Sequence, residues 1–149
     1  MFSRFIVVCI ASISMVAGAR AADCTALTPA DLQKVAGLKV TVVPFMSKPG
    51  AGGHCANFAG DDGKLVLGIS LMSSSEDYRN GIASVPQMIY PQRIQLKGVG
   101  DEGQLMKSST GFLRYLVARK GEHGVILFPF GKKLSDAQVE QLASIALGR

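Results

Sequence analysis

The chain contains 149 residues, of which 48% are hydrophobic, and its 16 lysines and arginines against 11 acidic residues give a formal net charge of +5. This hydrophobic fraction excludes a disordered chain. The three cysteines are too few for a disulfide-dense scaffold or a four-thiolate zinc site. The length allows one domain, or at most two very small ones. Composition therefore indicates a small globular protein and no particular activity.

Residues 1–21 have the pattern of a secretory signal peptide. Arg4 gives the segment a positive start, the apolar run Phe5–Ala17 follows, and Ala19-Arg20-Ala21 is a small-x-small cleavage site. A permanent membrane anchor is the alternative, but the run is shorter than the roughly 20 apolar residues that a spanning helix needs. We expect export of residues 22–149 to the periplasm or the medium, as one soluble domain without a transmembrane segment.

Two cysteines follow the predicted cleavage site, because Cys9 leaves with the signal. Cys24 and Cys55 would then lie in an oxidising compartment, so we predict a disulfide bridge between them. Two free thiols and an intermolecular bridge are the alternatives. Attachment of a lipid to Cys24 is a further alternative, although Asp23 stands where the bacterial lipobox has a small residue.

The first part of the mature chain predicts a short helix and three strands. Thr28 can cap a helix in which Pro29 takes the first position and which Gly37 ends. Asp62-Gly63 is a tight-turn pair and indicates a hairpin. The predicted elements are, in order, a helix over 28–37, a strand over 39–45, a flexible loop over 47–53, and strands over 54–59 and 64–72.

The second part predicts four strands between two helices. Ser75 can start a short helix that Asn80-Gly81 stops, and Ser135 with Gln138 forms a capping box for the C-terminal helix. The elements between these helices are a proline-containing connection over 83–92, strands over 93–97, 104–108, 112–119 and 125–130, and a hairpin loop over 121–124.

Helices and strands do not alternate along the chain, which argues against a parallel sheet. We therefore predict an α+β fold. Its antiparallel sheet should have about five to seven strands, with the N-terminal and C-terminal helices packed on one face.

The segment Gly98–Gly103 matches the pattern G-x-G-x-x-G of dinucleotide-binding loops. Such a loop needs a helix after the glycines, whereas a strand-like segment follows here, and Asp101 and Glu102 would repel phosphate. We favour a tight turn in which the glycines take positive φ angles, so Gly100→Val should destabilise the fold. The two acids either hold this turn through their own hydrogen bonds, which we favour, or bind a partner.

Several short motifs recur together in the mature chain. They are Cys24, the helix start Leu27-Thr28-Pro29, Cys55, the turn Gly98–Glu102, the hairpin Arg119-Lys120-Gly121 and an alanine-rich closing helix. In this order they resemble a class of small bacterial secreted or lipoprotein domains of unknown function with a G-[LV]-G-D-E-A turn. The chain departs from the pattern at Gly103, where the class has alanine, and it lacks the lipobox. The resemblance implies an α+β fold and export, and it implies no known catalytic residues.

Catalytic and metal-binding patterns are weak. The segment Gly68–Met72 fails the G-x-S-x-G pattern at its last position, and a disulfide would prevent Cys55 from acting with His54 as a nucleophile. His54 and His123 are the only histidines and lie far apart in the sequence, so we expect no metal and no cofactor. The candidate binding residues are Asp101, Glu102, His54 and His123.

Basic and aromatic residues interleave near the C-terminal strands, as they do in some nucleic-acid-binding proteins. The charge is too dilute for that function and export argues against it, so we expect no nucleic-acid partner. We interpret the aromatic residues as core and the basic ones as solvated. The residues are Phe112, Arg114, Tyr115, Arg119, Lys120, Phe128, Phe130, Lys132 and Lys133.

The pattern as a whole favours an exported, non-enzymatic binding or interaction module of unknown ligand. A small secreted hydrolase or metal-dependent enzyme is the alternative, and an inhibitor that uses the loop 47–53 is another. A concave pocket that gathers His54 or His123 with Asp101 or Glu102 would favour an enzyme. A flat, exposed sheet face would favour the binding module.

Overall fold

The computed structural model describes residues 25–43 and 54–149. The predicted signal peptide, Cys24, the loop 47–53 and the end of the first predicted strand lie outside the described residues. The elements are α1 Pro29–Ala36, β1 Val40–Val43, β2 His54–Gly60, β3 Leu65–Met72, α2 Ser75–Ala83, β4 Gln92–Gln95, β5 Glu102–Lys107, β6 Arg114–Lys120, β7 His123–Pro129 and α3 Asp136–Leu147.

Within the described ranges, seven strands form one antiparallel sheet in the order β1-β2-β3-β7-β6-β5-β4. The chain runs from the β1 edge to β3, crosses to the far edge at β4, and returns strand by strand to β7 beside β3. The predicted α+β class and the antiparallel sheet are therefore confirmed.

The two faces of the sheet carry separate hydrophobic cores. Leu116 and Ala118 of β6 belong to one core, and Val117 between them belongs to the other, because neighbouring side chains of a strand point to opposite faces. The first core also contains Leu32 of α1 and Leu142 of α3. The terminal helices therefore cover the same face, as predicted.

Capping boxes start both terminal helices, and the predicted caps are confirmed. Thr28 and Asp31 satisfy each other's backbone N–H groups at α1, and Ser135 and Gln138 do so at α3. Gly37 ends α1 with a φ angle of 67°. No helix in residues 25–43 and 54–149 is long and apolar enough to cross a membrane.

The helix α2 differs from the prediction in two ways. It continues through Asn80 and Gly81 to Ala83 instead of stopping there, and it covers the second face of the sheet. A Cβ added to Gly81 would lie 3.5 Å from Met72 Sδ and 3.7 Å from Ile126 Cδ1. Glycine here allows the helix to approach the sheet closely, so the pattern that indicated a stop marks a packing contact.

The hairpin between β6 and β7 is tighter than predicted. Strand β6 ends at Lys120 and β7 begins at His123, so that Gly121 and Glu122 alone form the turn. His123 and Gly124 were predicted as loop residues and lie instead in the strand. The positive φ of Gly121, 59°, permits a two-residue connection.

Candidate binding surface and cavity

The glycine-rich turn before β5 is fixed by contacts with the neighbouring hairpin. Gly98 and Gly100 have φ angles of 84° and 64°. The Asp101 backbone N–H donates to the Arg119 carbonyl at 2.8 Å, and an Asp101 carboxylate oxygen accepts from the Gly121 N–H at 2.7 Å. Because a strand follows this turn, the helix N-terminus that a dinucleotide site requires is missing from it.

Glu102 is also engaged within the fold. Its carboxylate accepts a hydrogen bond from Arg119 Nε at 3.0 Å. The Arg119 guanidinium lies 5.7 Å from the centre of the Tyr78 ring in α2. Burial, together with the charge of Glu102, raises the pKa of Tyr78. These contacts support the structural role that we favoured for Asp101 and Glu102.

The two histidines lie in different places. His54 opens β2, opposite Ser70 of β3. His123 opens β7, is exposed and lines a cavity at that end of the sheet. Asp101 lines a separate cavity beside Lys120 and the end of α3. Among the described residues, no group of three or more histidine, cysteine, aspartate or glutamate side chains could hold a metal ion.

The cavity beside His123 has a volume of about 240 Å³, and we call it the end cavity. Its apolar lining comes from the end of β3, the start of β7 and the last turn of α3. These side chains are Leu71, Met72, Val125, Ala146 and Leu147. The end cavity is therefore a mainly apolar concavity with one histidine in its lining.

The remaining wall of the end cavity is held by an ion pair between the two ends of the described chain. Arg149 donates two hydrogen bonds to Asp31, at 2.7 and 2.8 Å, and also reaches the carbonyl groups of Thr25 and Ala26. Burial alone would raise the pKa of Asp31, but the hydrogen bonds from Arg149 and Thr28 outweigh it and lower the pKa. The Arg149 charge is thus neutralised within the fold.

A second feature is an exposed group of apolar side chains at the opposite end of the sheet. Five of them expose between 41% and 97% of their surface: Met88, Ile89, Phe112, Leu113 and Phe130. The half-buried rings of Tyr90, Tyr115 and Phe128 adjoin them, since Tyr90 follows Ile89 in the chain and Tyr115 and Phe128 stand two residues from Leu113 and Phe130 along the same face of β6 and β7. We call these eight side chains the aromatic surface.

The rings of the aromatic surface contact one another in a row. Tyr115 meets Tyr90 edge to face at 6.3 Å between ring centres, and Phe128 at 4.7 Å. Phe130 follows β7, and its ring lies on the same face as Phe128, since both approach the position that a Cβ on Gly68 would take. Leu113 precedes β6 and lies opposite Phe130 when the β6–β7 register is continued.

The loop between β5 and β6, which carries Phe112 and Leu113, is ordered by its own hydrogen bonds. The Ser108 N–H donates to the Leu113 carbonyl at 2.9 Å, and the Ser108 hydroxyl accepts from the Leu113 N–H at 3.1 Å. Gly111 closes the turn by donating to the Ser108 carbonyl. Two apolar side chains are therefore held out towards solvent by a defined backbone.

The interpretation of the interleaved basic and aromatic residues was wrong in two respects. Phe112 and Phe130 are exposed and do not belong to the core. Arg114 is not solvated: its side chain is only 5% exposed and pairs with Asp136 at 2.9 Å. The sequence carried a signal for the exposed rings, because Phe112 follows Gly111 and Phe130 precedes Gly131, so each stands beside a turn glycine.

Comparisons of the chain with protein-family models, with curated proteins and with solved structures found no match. The resemblance to small secreted domains with a G-[LV]-G-D-E-A turn therefore stays a prediction.

Proposed function

We propose that this protein is an exported, non-enzymatic interaction module that binds another protein through the aromatic surface. The observation that carries the proposal is the clustering of exposed apolar side chains. Scattered single apolar residues are normal on a protein surface, whereas a contiguous group marks an interaction site. Here Leu113 and Phe130 extend the face of the sheet on which Tyr115 packs edge to face against Phe128 and Tyr90.

The arrangement is suited to binding at a low entropic cost. The edge-to-face contacts restrict the rings of Tyr90, Tyr115 and Phe128 before any partner arrives. The hydrogen bonds of Ser108 restrict the loop that carries Phe112 and Leu113. Side chains that are already ordered lose less entropy on binding, and aromatic side chains supply much of the energy at protein interfaces.

The charges around the aromatic surface indicate the chemistry of the partner. Lys132 is exposed two residues after Phe130, and Arg93 is exposed on β4, in the same row across the sheet as Met106 and Tyr115. Within residues 25–43 and 54–149, neither cation has a carboxylate at ion-pair distance. We infer a partner protein whose apolar contact residues are bordered by carboxylates.

The test compares the partner recovered by three forms of the exported protein. The double variant Phe112→Ser/Phe130→Ser removes two exposed rings, and Val42→Ser is the control, since Val42 is 51% exposed on the edge strand β1. Chemical crosslinking in the exported fraction should yield one adduct with the wild type and the control. The double variant should reduce its yield at least about tenfold.

Three results would contradict the proposal. They are an adduct of equal yield from the double variant, no adduct from any form, or an adduct that consists of two copies of this chain. Both substituted side chains are exposed, so the double variant should fold as the wild type does. Circular dichroism checks this.

We further propose that cleavage after Ala21 and a Cys24–Cys55 bridge complete the exported form. Thr25, the residue after Cys24, lines the end cavity together with Leu71 of β3. Cys55 lies in β2, which pairs with β3, and packs against the same core as Leu71. Thr25 therefore lies at the end of the sheet where β2 begins, which supports the proposed bridge from the preceding residue to Cys55.

Intact-mass measurement tests both parts of this prediction. The exported protein should have the mass of residues 22–149 less two hydrogen atoms, and it should take up no alkylating reagent before reduction. A mass that retains the first 21 residues would contradict cleavage. Alkylation of both native thiols would contradict the bridge.

A further inference from the structure

We propose that the end cavity binds a small, uncharged, mainly apolar molecule with one hydrogen-bonding group. This site is separate from the aromatic surface, since it lies at the opposite end of the sheet, beside the start of β7. The inference therefore does not depend on the proposed function.

The volume of the end cavity limits the size of the ligand. A closed apolar cavity of about 150 Å³ is known to hold benzene, and the end cavity has about 240 Å³. The ligand should therefore have roughly ten non-hydrogen atoms. The apolar walls of the end cavity come from the ends of β3, β7 and α3, so we expect a definite limit to the length of the ligand.

The electrostatics of the end cavity favour an uncharged ligand. Among the described residues that line the end cavity, the one lysine or arginine is Arg149, and it is occupied by Asp31 and by the carbonyl groups of Thr25 and Ala26. A charged ligand would leave water without a free counter-charge in the lining, which is costly. His123 offers a ring nitrogen to a hydroxyl or amide group, while the neighbouring Val125 and Leu147 contact the apolar part.

Straight-chain primary alcohols from butanol to dodecanol provide the test, with affinity measured by amide NMR shifts of the exported protein. Affinity should rise about fourfold per added methylene while the chain enters the end cavity. It should stop rising at about ten non-hydrogen atoms, where the cavity is full. The largest shifts should belong to Leu71, Val125 and Leu147.

Variants of α3 should move this length limit in opposite directions. Leu147→Ala enlarges the end cavity and should extend the limit by about two to three atoms, and Ala146→Leu should shorten it by a similar amount. Ile145→Ala is the matched control, because Ile145 lies on the same helical turn and packs against the core without lining the cavity. The limit of Ile145→Ala should equal that of the wild type.

His123→Ala tests the polar contact, and it is suited to this because His123 is exposed. It should weaken the binding of hexanol about fivefold and leave the binding of benzene unchanged. The inference would be overturned by affinity that keeps rising beyond the limit, by shifts centred on the aromatic surface, or by no saturable binding. Because the wild-type series alone gives the limit, failure of a variant to fold leaves the inference testable.

Discussion

Replacing Gly100 with valine should lower the free energy of unfolding by about 3–5 kcal/mol. Gly100 has a φ angle of 64°, a conformation that valine adopts only with strain. A Cβ at this position would also lie 2.3 Å from the Arg119 carbonyl oxygen and 2.9 Å from Leu147 Cδ1. The backbone of β6 cannot move away without breaking its hydrogen bonds to β5 and β7. The energetic cost of the collision therefore adds to that of the strain.

Gly98→Val is the matched control for this prediction. Gly98 has a similar φ of 84°, but no atom of the other described residues lies within 4 Å of the position that its Cβ would take. In this control only the backbone strain should lower the free energy of unfolding, by about 1–2 kcal/mol. Asp101→Ala should cost about 1 kcal/mol, because it removes the acceptor of the Gly121 N–H and leaves the turn glycines in place.

Chemical denaturation of the three variants measures these differences. If Gly100→Val and Gly98→Val lowered the free energy of unfolding equally, the collision with the Arg119 carbonyl would add nothing to the effect of Gly100→Val. An Asp101→Ala variant as stable as the wild type would contradict the structural role of this acid and favour a partner-binding role.

The contrast between Gly98 and Gly100 also shows what the sequence could predict. Local rules work where a residue's partner is near in the chain, which is why the Ser135–Gln138 cap and the Asp62-Gly63 turn were predicted correctly. The positive φ angles predicted for the glycines of this turn are confirmed for Gly98 and Gly100 and wrong for Gly103, which lies within strand β5. The contact between Gly100 and Arg119 was not predictable, because it depends on how β5 pairs with β6.

The aromatic surface was missed for a similar reason. An aromatic residue in a strand pattern is most often core, and the period of two tells which residues share a face but not whether that face is covered. Whether the second face of the sheet is covered depends on where α2 lies, and the sequence analysis assigned a face only to the terminal helices. Because Gly81 was interpreted as a stop, the length of α2 and its packing on the second face were not predicted.

Replacing Asp136 with alanine should lower the free energy of unfolding by about 2–4 kcal/mol. Asp136 opens α3 and binds Lys107 Nζ at 2.6 Å and Arg114 Nη1 at 2.9 Å. The Arg114 side chain is only 5% exposed, and its Nε already lacks a hydrogen-bond partner among the described residues. Without the carboxylate, a buried guanidinium would keep only its bond to the Gly131 carbonyl. The partial exposure of Asp136 itself, 36%, keeps the loss below that of a fully buried pair.

The same pair should make stability depend on pH in a defined direction. Burial alone would raise the pKa of Asp136, but the hydrogen bonds from Lys107 and Arg114 outweigh it, so the pKa is lower in the folded state. A carboxyl group with a lowered folded pKa contributes its full stabilisation above its unfolded pKa, about 3.9, and loses it as the pH falls through the folded value. The stability difference between wild type and Asp136→Ala should therefore be constant near neutral pH and shrink below about pH 4.

Unfolding measured at several pH values separates this effect from a general loss of helix α3. Glu76→Ala is the control, since Glu76 is an exposed acid in the first turn of α2. The free energy of unfolding of this control should differ little from that of the wild type at any pH. Asp136→Asn should lose nearly as much stability as Asp136→Ala at neutral pH, because the amide preserves the shape but not the charge that Arg114 requires. A difference between wild type and Asp136→Ala that persists unchanged to pH 2 would mean that packing at the start of α3, and not the ionised carboxylate beside Arg114, supplies the stability.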